Sequence, residues 1–289
     1  MTFDPEAIPE PLRPLVISAI SLRTRMIQSV TSGVNKLLFK ITDDIRNNIK
    51  NDDFDIEQEH FRYSQELERI ITDGTLAVAI AATGIGSAIL KRYYEKRKDP
   101  LSRAVEYEFK GRARVFTMAW LNGENRAFPA GVKWKLSERI WDLTGDNLQT
   151  IQMILDAGVG HDAVTVSKAL RSYVRDGAAT FAESYPNMMA RMEGRVLKNL
   201  NYESLRLARN EVSEVYWDAA KEGYKDNPAI YGVKQILSNN RPAGFHDVCD
   251  NMVSEDLHGL GPGVFPVNEA PSKPHVQCLC TIIPMVRDF

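Results

Sequence analysis

Apolar residues in the first third of the chain recur mostly every three or four positions, which is the period of an amphipathic α-helix. The polar run at 51–53 ends this pattern, and a second helix is predicted from Ile56 to about Thr72. A third helix is predicted to combine the segments 75–90 and 91–98. Long helices with few turns between them indicate an extended bundle or hairpin that needs a partner surface. The first helix carries its apolar residues at Leu15, Ile20, Ile27, Val30, Val34, Leu37, Leu38, Ile41, Ile45 and Ile49.

The segment from Thr75 to Leu90 contains no charged residue and is followed by Lys91 and Arg92. A membrane-spanning helix needs about 20 apolar residues, and this stretch is shorter. Its many Ala, Gly and Ser residues allow helices to approach closely. We interpret it as a buried packing helix, with membrane insertion as the alternative.

A Pro-containing step at Asp99-Pro100 interrupts the helical pattern and marks a predicted boundary. The chain then divides into a long-helix region (1–100), a helical middle region (101–230) and a C-terminal module (231–289). The module is rich in Gly and Pro and contains three short β-prone segments, at 231–237, 264–265 and 278–283. The sequence therefore predicts an α+β fold that is mainly helical, with a short antiparallel sheet in a small loop-rich C-terminal module.

Helix starts in the middle region can be read from short polar residues, whose side chains accept hydrogen bonds from the free N–H groups of a first turn. Ser137 is the predicted N-cap of one helix and Asp162 that of the next. A further helix is predicted from 202 to 222.

Composition and charge exclude several classes of protein. Hydrophobic residues make up 44% of the chain and charged residues 26%, so most of it is expected to be globular. The net charge of -2 gives no overall positive field for nucleic acid, and DNA contacts would need a local patch. Basic residues cluster at 91–98 and 103–114, but acidic residues interleave with them, so a solvated mixed-charge face is the default interpretation. The 3 cysteines all follow residue 248, which argues against a secreted disulfide framework.

Those cysteines belong to a group of residues that is typical of metal sites. Thiolates and imidazole are the zinc ligand set, and loop-rich modules often need a metal to fold. If 278–283 is a strand, Cys278 and Cys280 point to one face, with His275 and Cys249 completing four ligands. The Cys-x-Cys spacing is unusual for zinc, however, and favours a metal-free packed hairpin. Nucleophilic catalysis by the Cys, His and Asp residues is a third interpretation.

The order of motifs in the last third resembles that of the Mu F-like minor head proteins of tailed phages, also called phage head morphogenesis proteins. An Asp-x-Cys-Asp motif at 247–250 is followed by Gly-x-Gly-x-Phe-Pro at 261–266 and by Pro-His-x-x-Cys-x-Cys at 274–280. Upstream segments at 136–141, 207–211, 216–220 and 233–236 fit the same family, so the resemblance covers about residues 135–286.

The resemblance also assigns candidate residues. It marks Asp247, Asp250, Arg209 and Glu211 as structural motif residues, and for the last two we expect ion pairs with neighbouring elements. The chain departs from the family pattern where Asn210 replaces Thr, where Met252 replaces a second Cys, and at 276–277. These departures bear on the metal site more than on the family.

The resemblance implies a minor capsid protein of the virion, made in the host cytoplasm and present in few copies in the phage head. It implies association with the portal protein and other head proteins, a role in head morphogenesis, contact with packaged double-stranded DNA, and DNA ejection. No catalytic residue is assigned, and the chain is not expected to be an enzyme. The alternatives are a membrane-active ejection protein that uses 75–90 and an enzyme that uses the Cys/His/Asp group.

Overall fold

The computed structural model describes residues 8–50, 55–98, 102–124, 135–192, 199–239, 244, 246–276 and 278–287. The described chain is mainly helical, with one small sheet near its C-terminus, so the predicted α+β class is confirmed. The helices are α1 (Arg13–Lys50), α2 (Ile56–Lys96), α3 (Ser102–Leu121), α4 (Leu136–Ala157), α5 (Ala163–Ser184), α6 (Pro186–Arg191), α7 (Leu200–Tyr224) and α8 (Val248–Ser254). The strands are β1 (Ile230–Ile236), β2 (Val264–Phe265) and β3 (Thr281–Val286).

The sheet is antiparallel, in the order β2-β1-β3, with the strands close to where the sequence places them. On one side of β1, Val233 is opposite Phe265. On the other side the same residue is opposite Pro284, and the pairing ends where Ile236 meets Thr281. The third strand therefore begins after Cys280, later than the predicted start at 278. The cysteines of the Cys-x-Cys motif precede the ladder, and the Sγ of Cys278 lies 3.6 Å from that of Cys249 on α8.

Two expectations about helix boundaries were wrong. Residues 56–98 were expected to form two helices, but α2 is continuous past Asp73 and Gly74. A single glycine in a helix costs only about 1 kcal/mol relative to alanine, and packing offsets it. Ser137 lies inside the first turn of α4 rather than capping it, and Glu138 instead accepts a hydrogen bond from the backbone N–H of Lys135 at 3.2 Å.

The cap predicted at Asp162 is confirmed. Its Oδ1 accepts hydrogen bonds from the backbone N–H groups of Val164 and Thr165, at 3.0 and 2.9 Å. Two N–H groups that the helix leaves free are satisfied in this way. The helix that follows bends at Gly177, whose φ of +84° suits glycine.

The described residues form two compact units, each made of segments that are distant in the sequence. Unit 1 contains described residues of 1–28, 73–133 and 210–289, and unit 2 contains those of 29–72 and 134–209. Asp99 and Pro100, where the sequence places a boundary, lie outside the described residues. The division into three consecutive regions stays a prediction.

In unit 1, α2 and α7 touch at two glycines. A Cβ atom built on Gly86 would lie 1.8 Å from the carbonyl oxygen of Gly223, and one built on Gly223 would lie 2.8 Å from the Cα of Thr83. The backbones therefore meet directly, as the small-residue composition of 75–90 indicates. α2 is also the one described helix long and apolar enough to cross a membrane by length and composition, and 56% of its apolar stretch is buried within the chain. A core helix of a soluble protein meets the same criterion.

Unit 2 contains a buried polar network between α2, α4 and α7. The side-chain amide of Asn147 donates to the hydroxyl of Tyr63 and to that of Ser204, both at 3.1 Å, and the two hydroxyls lie 3.2 Å apart. All three side chains are buried. Because each buried polar group finds a partner, the network fixes how these segments align within the unit.

Candidate metal centre

Cys249 is positioned by the N-terminus of α8. Asp247 caps this helix, because its Oδ1 accepts a hydrogen bond from the backbone N–H of Cys249 at 2.8 Å. The carboxylate of Asp250 accepts in return from the backbone N–H of Asp247, also at 2.8 Å. The Asp-x-Cys-Asp motif is therefore a capping box that fixes the backbone on both sides of the thiol. The Cys249 side chain is fully buried.

The other ligand candidates lie in the turn before β3. The backbone N–H of Cys278 donates to the carbonyl of His275 at 3.2 Å, which closes this turn. Cys278 and Cys280 are both buried, whereas 38% of the His275 side chain is exposed. Both cysteines were expected on a strand; they lie before it, and their sulfurs nevertheless come together.

The sulfur atoms lie at distances that suit a tetrahedral metal ion. The Sγ of Cys249 is 3.6 Å from the Sγ of Cys278 and 3.3 Å from the Nε2 of His275. The Sγ atoms of Cys249, Cys278 and Cys280 all lie within 4.8 Å of one another. Zinc–ligand bonds in tetrahedral geometry place two sulfurs about 3.8 Å apart, and a sulfur and a nitrogen about 3.5 Å apart. The three sulfurs form one group of possible ligands, Asp247, Cys249 and His275 form a second, and Cys249 belongs to both.

The imidazole of His275 is held in an orientation that suits a ligand. Its Nδ1 lies 3.0 Å from the carbonyl oxygen of Val276, so a proton on Nδ1 can be donated there. The Nε2 lone pair is then directed at Cys249, as in sites where a backbone carbonyl fixes the tautomer of a metal-bound histidine. The Oδ2 of Asp247 also lies 3.2 Å from this Nε2. Asp247 and His275 are therefore alternative fourth ligands beside three thiols.

The thiols of Cys249 and Cys278 have raised pKa values, which favours their protonated forms. The pKa of Cys249 is raised by its hydrogen bonds with Cys278 and Cys280 and by burial. The pKa of Cys278 is raised to about 11, because its hydrogen bond with Cys249 lowers it less than the Cys280 thiol and burial raise it. A metal ion entering this cluster would displace those protons, so binding and proton release are coupled.

A buried cation, Arg23, and a half-buried one, Lys273, lie close to the thiols, and neither was predicted from the sequence. Arg23 on α1 is 2% exposed and donates to the carbonyl of Cys280 at 3.1 Å and to that of Leu279 at 3.0 Å. Its Cζ lies 4.8 Å from the ring centroid of Tyr216. Lys273 forms a short hydrogen bond with the side chain of Asn210. Burial lowers the pKa of Lys273, whereas the charges of Glu214, Cys278 and Glu211 oppose this shift.

A signal for Arg23 is present in the sequence. The apolar positions of α1 step from Ile20 to Ile27, and residue 23 lies on the same face between them. A charged residue on an otherwise buried stripe indicates a specific partner. Lys273 has no comparable signal, because it lies in an aperiodic loop.

The remaining motif residues lie on α7 and have different surroundings. Arg209 donates to the hydroxyl of Thr31 at 3.3 Å, so the ion pair expected for Arg209 is absent among the described residues. Glu211 is fully buried, and its charge acts on the neighbouring Lys273. Neither residue belongs to the group of possible metal ligands.

Residues from two separate turns therefore form a cluster that can hold a metal ion: Asp247, Cys249, His275, Cys278 and Cys280. No family model matches the chain, and no curated protein or solved structure shows significant similarity to it.

Proposed function

We propose that the cluster is a structural zinc site with Cys249, Cys278, Cys280 and His275 as ligands. Three sulfurs and an imidazole would make a closed four-ligand set, which leaves no position for substrate and is typical of structural zinc. The three sulfurs lie within 4.8 Å of one another, and His275 lies beside Cys249. The ligands connect the turn before α8 to the turn before β3, so bound zinc would staple the loops of the C-terminal module. The carbonyl of Val276, which lies 3.0 Å from Nδ1, would orient the imidazole, and Asp247, which caps α8, would hold the backbone of Cys249.

We propose further that the chain is a minor head protein of a tailed phage that associates with the portal protein and acts in head morphogenesis. The observation that carries this proposal is the meeting of two family motifs: Asp-x-Cys-Asp at 247–250 and Pro-His-x-x-Cys-x-Cys at 274–280 face each other around one point. Each motif alone is weak evidence for the family. Their contact in the fold supplies a physical reason why both motifs occur in one chain. The protein would act in the virion head after synthesis in the host cytoplasm, beside other head proteins and packaged DNA.

A structural role suits the geometry better than catalysis. In a catalytic triad the nucleophile and the acidic residue contact opposite nitrogens of the histidine. Here the Cys249 sulfur and the Asp247 carboxylate approach the same nitrogen, Nε2, while Nδ1 faces the Val276 carbonyl. The Cys249 side chain is also fully buried and its thiol pKa is raised, whereas a nucleophile needs access and a lowered pKa.

Co-expression with the tagged portal protein of the same genome tests the assembly proposal. We expect the full chain to copurify with the portal, and mass spectrometry of purified heads to find it in few copies per particle. A chain variant with Cys278→Ser would show whether the stapled module is needed for this association, and Val276→Ser, an exposed position in the same turn, is the matched control. A chain absent from both portal complexes and heads would contradict the proposal.

A further inference from the structure

Arg23 is a buried cation for which the described part of the chain offers no carboxylate partner. Its guanidinium is almost completely buried, and the charges that act on it belong to Tyr216, Cys278 and Cys280. Burying an unpaired charge is costly, so such a group normally has a negative partner. Its hydrogen bonds go instead to the neutral carbonyls of Leu279 and Cys280, and its face packs on Tyr216.

Besides Tyr216, the groups near Arg23 that can carry negative charge are the Cys278 and Cys280 thiols of the candidate metal centre. The carbonyls that Arg23 binds belong to the segment that carries Cys278 and Cys280.

A zinc-bound site would carry a net charge that Arg23 could balance. Three thiolates, one Zn²⁺ and a neutral imidazole leave a single net negative charge, which a protein must balance. A guanidinium also presents a planar fork of donors, which matches two neighbouring carbonyls better than an ammonium does. Arg23 thus offers both the charge and the geometry that the ligand segment requires.

We propose that Arg23 is the positioning residue of the metal centre: it holds the Leu279–Cys280 backbone in place, balances the charge of the three thiolates, and so links α1 to metal binding. This inference rests on the proposed zinc site. The link spans 257 positions of sequence, from Arg23 to Cys280, within unit 1.

Zinc affinity of the full chain tests the proposal, measured by competition with a chromophoric chelator. Arg23→Met keeps the apolar stem and removes the charge, and we expect zinc binding to weaken about 10- to 100-fold, as for other groups that support metal ligands. Arg23→Lys keeps the charge and should lie between the wild type and Arg23→Met. Arg25→Met, at an exposed position of the same helix, is the matched control and should bind as the wild type does.

Spectra of the Co²⁺-loaded chains separate loss of ligands from loss of support. Arg23→Met should retain the sulfur-to-cobalt absorption of the wild type, because all three thiolates still bind, at a higher half-saturating metal concentration. A folded Arg23→Met chain that binds zinc as tightly as the wild type would overturn the role of Arg23 and leave the zinc site standing. A wild-type chain that binds no zinc would overturn both.

A second measurement needs no variant and applies if Arg23→Met fails to fold. Coupling between two sites is reciprocal, so zinc must stabilise the helix that supports it. We expect hydrogen exchange in residues 13–28 of the wild-type chain to slow when zinc is added. Exchange in this segment that is unchanged by zinc would overturn the link.

Discussion

The helices and the C-terminal module bury their residues in different ways. Along α1 and α2 the apolar positions repeat regularly and many side chains share the burial, with polar groups such as Asn147 satisfied inside the helical packing of unit 2. The module has short strands, and its loops meet through three thiols, one imidazole and the buried Arg23. Stability in the helices is distributed over many side chains, so single losses should be graded. In the module the proposed zinc would make the loops depend on a few ligands, so one loss is expected to release the whole set.

Removing one ligand should produce the largest effect. Cys278→Ser is expected to weaken zinc binding strongly, because the serine hydroxyl does not replace a thiolate and Asp247 would have to serve as the fourth ligand. Since binding energy in such modules is folding energy, the loops should become sensitive to protease. Metal analysis and limited proteolysis of the full chain measure both effects.

Val276→Ser is the control for this change, because the side chain is 48% exposed and lies beside the ligands without joining them. It should keep the metal and the protease resistance. If Cys278→Ser retained both, the module would not depend on its ligands, and the contrast with the helices would disappear.

The glycine contact in unit 1 should be the most sensitive point of the helices. Gly86→Ala places a methyl group 1.8 Å from the Gly223 carbonyl oxygen, so α2 and α7 must separate. Overpacking of this kind costs about 3 kcal/mol or more, at the upper end of the usual range. The free energy of unfolding, from denaturant titration, measures the loss.

Gly84→Ala is a close control on the same helix, two positions away, where an added Cβ meets nothing within 4 Å. Alanine favours helix over glycine, so this variant should be more stable than the wild type by up to about 1 kcal/mol. A Gly86→Ala chain as stable as Gly84→Ala would mean that the two helices do not touch there.

The polar network of unit 2 should give a smaller and graded effect. Asn147→Ala removes two hydrogen bonds but leaves the hydroxyls of Tyr63 and Ser204 in contact with each other. We expect the free energy of unfolding to fall by about 1–2 kcal/mol. Gln152→Ala, which removes a surface hydrogen bond from the same helix, should change it by less than about 0.5 kcal/mol. Equal losses in the two variants would argue against a buried network.

The cap of α5 should give the smallest effect, and one that depends on pH. Hydrogen bonds from Thr165 hold the pKa of Asp162 below its usual value. A lowered folded-state pKa stabilises the chain above the unfolded pKa, and this stabilisation is lost as the pH falls through the folded value. Asp162→Ala should therefore lower the Tm at pH 7, and the difference should shrink in acid.

Asp162→Asn separates the cap from the charge, because asparagine caps a helix as well as aspartate does. The Tm of Asp162→Asn should stay close to that of the wild type at pH 7. It should lack the part of the fall in Tm at low pH that protonation of Asp162 causes in the wild type. A Tm for Asp162→Ala that differs from the wild type equally at all pH values would contradict the charge contribution.

The sequence predicts an element best where a regular hydrophobic pattern extends over many residues. The stripe through Ile20 and Ile27 identified α1, and the β-prone residues near 231–237 identified β1. Chemistry identified Cys249 and His275 as partners, although they are 26 positions apart. Contacts that follow no sequence period were not predicted. The contact of Gly86 with Gly223 depends on how two helices cross, and Arg23 reaches the candidate ligands only because α1 lies beside them. Such contacts are set by tertiary packing, which local patterns do not encode.

The metal content of the purified full chain shows whether zinc holds the C-terminal module together. Native mass spectrometry combined with elemental analysis, on protein prepared without added chelator or metal-affinity resin, should find one zinc ion per chain. Removal of that zinc by a strong chelator should lower the Tm, and added Zn²⁺ should restore it. A chain that contains no zinc, takes up none, and melts at the same temperature with and without chelator would contradict the claim that a metal staples the C-terminal module.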